Sequence, residues 1–77
     1  MLLLEKSHEQ QRVRAMTPIY ISDERMIPPG TTGRILRVHN REFCYIEWDL
    51  YDGKARRAGT TLKCTANAKE IEPINLR

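Results

Sequence analysis

From Glu42 to Leu50 the chain alternates strictly, with Cys44, Ile46, Trp48 and Leu50 interleaved with Phe43, Tyr45, Glu47 and Asp49. Successive side chains of a β-strand point to opposite faces, so a period of two fixes a strand with one face in a core and one toward solvent. The first set is assigned to the core and the second to the outward face. The same period runs from Arg12 to Ser22, where Val13, Ala15, Thr17, Ile19 and Ile21 face one way and Arg12, Arg14, Met16, Tyr20 and Ser22 the other. Pro18 has no N–H to give a ladder, so this stretch is either an edge strand there or two pieces.

Turn chemistry punctuates these runs. After the charged stretch Ser22-Asp23-Glu24-Arg25 comes Pro28-Pro29-Gly30-Thr31, in which Pro29 presets φ for one central position of a type II turn and Gly30 supplies positive φ at the next. Thr32 to Val38 reads as the following strand, with Gly33 marking a bulge or the close approach of another backbone. His39-Asn40-Arg41 is a short polar reversal, Asp52-Gly53 is a strong turn dipeptide, and Thr60 to Thr65 is a further β-rich run with Leu62 and Cys64 on one side. Ala66-Asn67-Ala68-Lys69 has room for one helical turn before Glu70-Ile71-Glu72-Pro73-Ile74 closes the domain as a short edge strand. Residues 1–11 carry no such pattern, and their polar run after Leu4 fits a frayed helical turn or a loose arm. The expectation is an all-β domain over residues 12–77, of about five short strands, which can share one core only by curling into a small sandwich or barrel.

With 77 residues there is room for one domain, whose core alone supplies only about 3 to 5 kcal/mol, so self-association or a partner is expected. The net charge of +3 is unevenly placed: residues 33–64 hold seven basic and four acidic side chains, and the remainder holds six of each. A locally basic segment attracts phosphates, acidic proteins or anionic lipid heads alike, and an ordinary solvated surface has the same composition. Met1-Leu2-Leu3-Leu4 is cut short by Glu5-Lys6 before it reaches the length of an export signal, and no apolar run is long enough for a membrane span. A cytoplasmic protein is expected, with Cys44 and Cys64 reduced and packed as small hydrophobes.

Several residues also carry a family likeness: Pro28-Pro29-Gly30-Thr31-Thr32-Gly33-Arg34-Ile35, then Val38, then Tyr45-Ile46-Glu47-Trp48-Asp49, then Ile71-Glu72-Pro73-Ile74. This pattern resembles small bacterial and phage SH3-like barrels, including KOW-type modules, over roughly residues 12 to 75. The resemblance implies an SH3-like five-stranded barrel with a short helical turn before its last strand. It says little about function, because that barrel carries many unrelated jobs. Two departures stand out. Gln10-Gln11-Arg12 occupies the place where such barrels commonly carry Gly-Asp, and the segment between Trp48 and Leu62 is longer and more basic than the usual short hairpin.

Nothing in the chain assembles into a catalytic motif. His8 lies in the N-terminal arm and His39 in a turn, and with Cys44 and Cys64 they have none of the spacings of a zinc site. Asp49 and Asp52 flank a turn, where capping and solvation account for them, and Gly30 with Gly33 lacks the Lys-Ser/Thr and helix start of a phosphate loop. Trp48, in step with Ile46, reads as a core anchor. No enzyme, metal or cofactor is therefore expected, unless a multimer builds a shared pore. The candidate binding residues are Arg34, Arg37, Arg41, Phe43 and Tyr45 around one hairpin, and Tyr51, Lys54, Arg56, Arg57 and Lys63 in and beside the long loop. Exposed loops on a rigid scaffold are where binding residues concentrate. Two functions fit: a protein-interaction module or accessory subunit, and a nucleic-acid or ribonucleoprotein binder that neutralises phosphates and stacks bases. Cross-strand aromatic pairing on an ordinary sheet face is the plainer account of the same residues.

Overall fold

The computed structural model describes residues 4–23, 25–51 and 61–74. Among these residues it is an all-β globule with seven strands: β1 Arg12–Ala15, β2 Ile19–Tyr20, β3 Met26–Ile27, β4 Thr32–Val38, β5 Phe43–Tyr51, β6 Thr61–Asn67 and β7 Ile71–Pro73. Five of them form one antiparallel sheet in the order β6-β5-β4-β1-β7, and β2 pairs with β3 in a separate two-stranded ribbon. Among the described residues β6 and β7 remain the two edges of the sheet, and no pairing between them closes it.

The long alternation of β5 lands as its sequence requires. Cys44, Ile46 and Trp48 are buried and Leu50 half-buried, whereas Phe43 and Asp49 are exposed. The run from Arg12 to Ser22 breaks into β1 and β2 around Pro18, and the break leaves Thr17, placed inward by the alternation, exposed. Pro28 to Thr31 closes as a tight turn, with φ of +89° at Gly30 and a bond from the Thr31 N–H to the Pro28 carbonyl at 3.2 Å. Asn67 and Glu70 reciprocally cap the one-turn 3₁₀ helix Ala68–Glu70, which delivers the chain to β7.

Gly33 resolves into one of its two readings. It pairs with Trp48 across β4 and β5, and a Cβ there would lie 2.7 Å from the Glu47 carbonyl oxygen and 2.9 Å from the Trp48 ring. The glycine is a close approach. The bulge sits three residues later, where the register slips between Ile35 and Arg37 and leaves Leu36 as the extra residue. Because of that slip Gly33, Ile35 and Val38 are the buried positions of β4, and Arg34 and Arg37 both face solvent.

The loose arm expected at the N-terminus is not what the described residues 4–11 form. Leu4 is only 1% exposed and belongs to the core, and a 3₁₀ turn, Lys6–His8, follows it. Backbone bonds then fasten the segment to β4 and its hairpin. The Leu4 N–H donates to the Arg41 carbonyl at 3.0 Å, the Gln10 N–H to the Ile35 carbonyl at 2.7 Å, and the Ile35 N–H to the Gln11 carbonyl at 2.9 Å. A Glu9 carboxylate oxygen accepts the Val38 N–H at 3.0 Å. One apolar anchor and four satisfied backbone donors order a segment whose composition alone is that of a tail.

Candidate functional site

The outward face of the sheet is built by β1, β4, β5, β6 and β7 together, and charged residues meet on it in register. Arg12 lies opposite Arg34, Arg34 opposite Glu47, and Glu47 opposite Lys63, while Arg14 lies opposite Glu72. Like charges directly across a ladder repel, so the Arg12 and Arg34 pair needs compensation, and carboxylates on the same face provide it. Arg12 and Thr32 both donate to Asp49, the latter at 2.6 Å. Arg34 reaches Glu47 at 3.4 Å, Lys63 approaches the same carboxylate at 3.9 Å, and Thr61 donates to it at 2.9 Å. Arg14 pairs with Glu72 at 3.2 Å. The hydrogen bonds from Arg12 and then Thr32, with the charges of Arg12 and Arg34 behind them, hold the Asp49 carboxyl below its usual range.

Two of the ten candidate residues are thereby accounted for without a ligand, since Arg34 and Lys63 are partners of Glu47. Lys54, Arg56, Arg57 and the Tyr51 side chain lie outside the described residues. The remaining four, Arg37, Arg41, Phe43 and Tyr45, gather at the β4–β5 hairpin end of the sheet. Arg37 is exposed and stands directly opposite the half-buried Tyr45. Phe43 is 39% exposed on the same outward side of β5, and Arg41 is exposed in the turn. Among the described residues Arg37 has no carboxylate partner.

The bulge shapes this end. By inserting Leu36 it turns Arg37 outward beside the hairpin, and Leu36, Arg37, His39 and Tyr45 line an open-sided groove of about 480 Å³. Leu36 and His39 were not among the sequence candidates. The one hint of Leu36 was the adjacent apolar pair Ile35-Leu36 inside a strand that otherwise alternates, which a bulge reconciles with one buried face without saying which of the two is extra. The turn itself is self-contained: the His39 and Asn40 N–H groups both donate to the Phe43 carbonyl, at 3.0 and 3.3 Å, and Asn40 Oδ1 accepts from the Glu42 and Phe43 N–H groups at 2.8 and 2.9 Å.

The remaining reactive groups are engaged in structure. Cys44 is fully buried, and burial, reinforced by nearby Cys64, pushes its thiol up to about 11. Cys64 is also raised, chiefly by burial, against a Trp48 Nε1–H bond to its Sγ at 3.2 Å that pulls the other way. Both thiols stay protonated at neutral pH, so neither is poised as a thiolate. His8 Nδ1 accepts the Glu5 N–H at 2.9 Å within a capping arrangement. No three His, Cys, Asp or Glu side chains come together among the described residues in a way that would hold a metal ion, and no helix there is long and apolar enough to cross a membrane. A second feature, absent from the candidates, is the ribbon, where Tyr20, 73% exposed, lies opposite Met26, 39% exposed, with Met16 also exposed.

No family model, curated protein or solved structure matches this chain.

Proposed function

We propose that this chain is a small non-catalytic binding module that engages a protein segment through the β4–β5 hairpin end of its outward face. One observation carries the reading: the carboxylates of that face already serve four of its cations. Asp49 takes Arg12, Glu72 takes Arg14, and Glu47 takes both Arg34 and Lys63. A phosphate backbone laid across the sheet would have to displace those carboxylates or lie against them, and its affinity comes from neutralising several phosphates at once. A localised anchor of aromatic and basic side chains at one end suits a protein segment better.

The fold is read as an SH3-like barrel. The strand order β6-β5-β4-β1-β7, the ribbon between β1 and β4, and the 3₁₀ turn before the last strand support that reading. The free thiols of Cys44 and Cys64 support a reducing, cytoplasmic setting. A second reading, a KOW-like binder of nucleic acid, is favoured by one juxtaposition, the pairing of Arg37 with Tyr45 beside Phe43.

The test is recovery of partners from native cell extract with and without nuclease, using the wild-type protein and a Phe43→Ala/Arg41→Glu variant. Both side chains are exposed, so the variant should keep its circular dichroism spectrum. One protein partner, retained after nuclease and lost with the variant, is expected. Recovery that disappears with nuclease overturns the reading in favour of nucleic acid.

A further inference from the structure

Resting on that reading, we infer that the groove lined by Leu36, Arg37, His39 and Tyr45 takes an aspartate or glutamate side chain of the partner segment, with a neighbouring apolar side chain laid on Leu36 and the Tyr45 ring. The argument starts from charge. Arg12, Arg14, Arg34 and Lys63 each have a carboxylate within 4 Å on the sheet face, and Arg37 has none among the described residues. The nearest acid along β5 on its side, Glu47, is already shared by Arg34, Lys63 and Thr61. An exposed guanidinium left over from an otherwise matched set is complementary to one incoming anion. Its planar fork suits a carboxylate in two-point contact.

The walls narrow the choice of anion. Leu36 and Tyr45 are half-buried and bring an isobutyl group and an aromatic ring to the groove, so the segment must bring hydrocarbon as well as charge. A chain-terminal carboxylate is typically captured by a nest of free backbone N–H groups, and the turn offers none at His39, Asn40, Glu42 or Phe43, all of which donate internally. The side-chain donors that line the groove are the Arg37 guanidinium, the His39 ring and the Tyr45 hydroxyl, and of these only Arg37 carries a fixed charge. The groove is open-sided, so a continuous segment can pass through it. A run of phosphates continuing along the sheet face from Arg37 would next meet Glu47. An acidic side chain flanked by apolar residues within a peptide fits charge, walls and openness together.

The experiment is a ¹⁵N heteronuclear titration of the full chain with a pool of blocked pentapeptides having a fixed central aspartate and apolar flanks. A pool with asparagine in its place, a pool ending in a free carboxylate without an internal acid, and a single-stranded deoxythymidine oligonucleotide are the comparisons. Expected are shifts centred on residues 36–39 and 45, with apparent affinity at least tenfold weaker for the asparagine pool and for Arg37→Glu. Arg37→Lys falls between, because it keeps charge and loses the fork, and Tyr45→Ala weakens every pool. Unchanged dispersion of the Arg37→Glu spectrum shows that folding is intact. Equal binding of the aspartate and asparagine pools, stronger binding of the free-carboxylate pool, stronger and salt-sensitive binding of the oligonucleotide, or no shift at millimolar peptide each overturn the inference. In the last case a nuclease-resistant protein partner lost with Phe43→Ala/Arg41→Glu leaves the binding-module reading standing and removes only the carboxylate groove.

Discussion

Two residues carry backbone demands of opposite kind. Gly33 is required for space: an added Cβ would sit 2.7 Å from the Glu47 carbonyl, 2.9 Å from the Trp48 ring and 3.0 Å from an Ile46 methyl. All three neighbours belong to β5, and Trp48 and Ile46 are fully buried, so none can swing aside cheaply. Gly33→Ala should cost about 1 to 3 kcal/mol, the range of strain from overpacking at a tight site. Gln10 presents the reverse case. Its φ of +75° is unfavourable for a residue with a Cβ, and its side chain is exposed. Gln10→Gly should therefore leave stability unchanged or raise it by up to about 1 kcal/mol, the relief of left-handed strain being partly offset by the freer unfolded chain. Urea unfolding followed by Trp48 fluorescence reads both, and a Gly33→Ala protein as stable as wild type would show that β4 and β5 do not approach as described.

Elements were legible where their pattern was uninterrupted. β5 was readable because nine residues alternate without a break and its apolar set includes the bulkiest core side chain, Trp48. The turn at Gly30 was readable because Pro-Gly chemistry leaves few alternatives. The bulge at Leu36 was not, since Ile35 and Leu36 are equally apolar and only tertiary packing decides which is the extra residue. The candidate site suffered accordingly: Arg37 and Tyr45 were identified, but Leu36 and His39 became its walls only through the register slip. The ordered N-terminal segment was least legible, because one apolar residue in eight carries no period and most of the bonds that fasten it are backbone bonds, which any sequence can make, joined by the polar side chains of Glu9 and Gln11. Leu4→Ala measures that segment directly. Removing a fully buried leucine costs about 2 to 4 kcal/mol, and here it should also free residues 5–9 to exchange their amide hydrogens faster than the centre of β5. A destabilisation below about 0.5 kcal/mol, typical of surface positions, would mean that Leu4 is not part of the core.

At the scale of the whole molecule, the sheet is ordered so that its first and last strands meet: β1 lies between β4 and β7, with Val13 opposite Pro73, Arg14 opposite Glu72 and Ala15 opposite Ile71. Half of the hydrogen bonding of β1 therefore waits for the C-terminal end of the described chain. The join is reinforced beyond the ladder. The Met16 N–H donates to the Glu70 carbonyl at 2.8 Å, the Ile74 N–H to the Arg12 carbonyl at 2.9 Å, and Gln11 Nε2 to the Ile74 carbonyl at 3.1 Å. Ala68 and Ile71 are also buried in the core, Ile71 directly opposite Ala15. A domain of this length has only about 3 to 5 kcal/mol in hand, while the loss of Ile71 alone costs about 2 to 4 kcal/mol. Ending the chain at Asn67 removes the 3₁₀ turn, Ile71 and the β7 ladder together, and leaves Val13 and Ala15 uncovered at a new edge. The shortened chain should lose cooperative urea unfolding and the dispersed amide spectrum of the full chain, whereas Ile71→Ala in the full chain should still unfold cooperatively at a lower midpoint. If the chain ending at Asn67 unfolded at the full-length midpoint, β7 would be an accessory strand and the core would close on β1 without it. The graded pair of variants separates those two architectures, because only a strand integral to the core makes the point substitution costly and the truncation prohibitive.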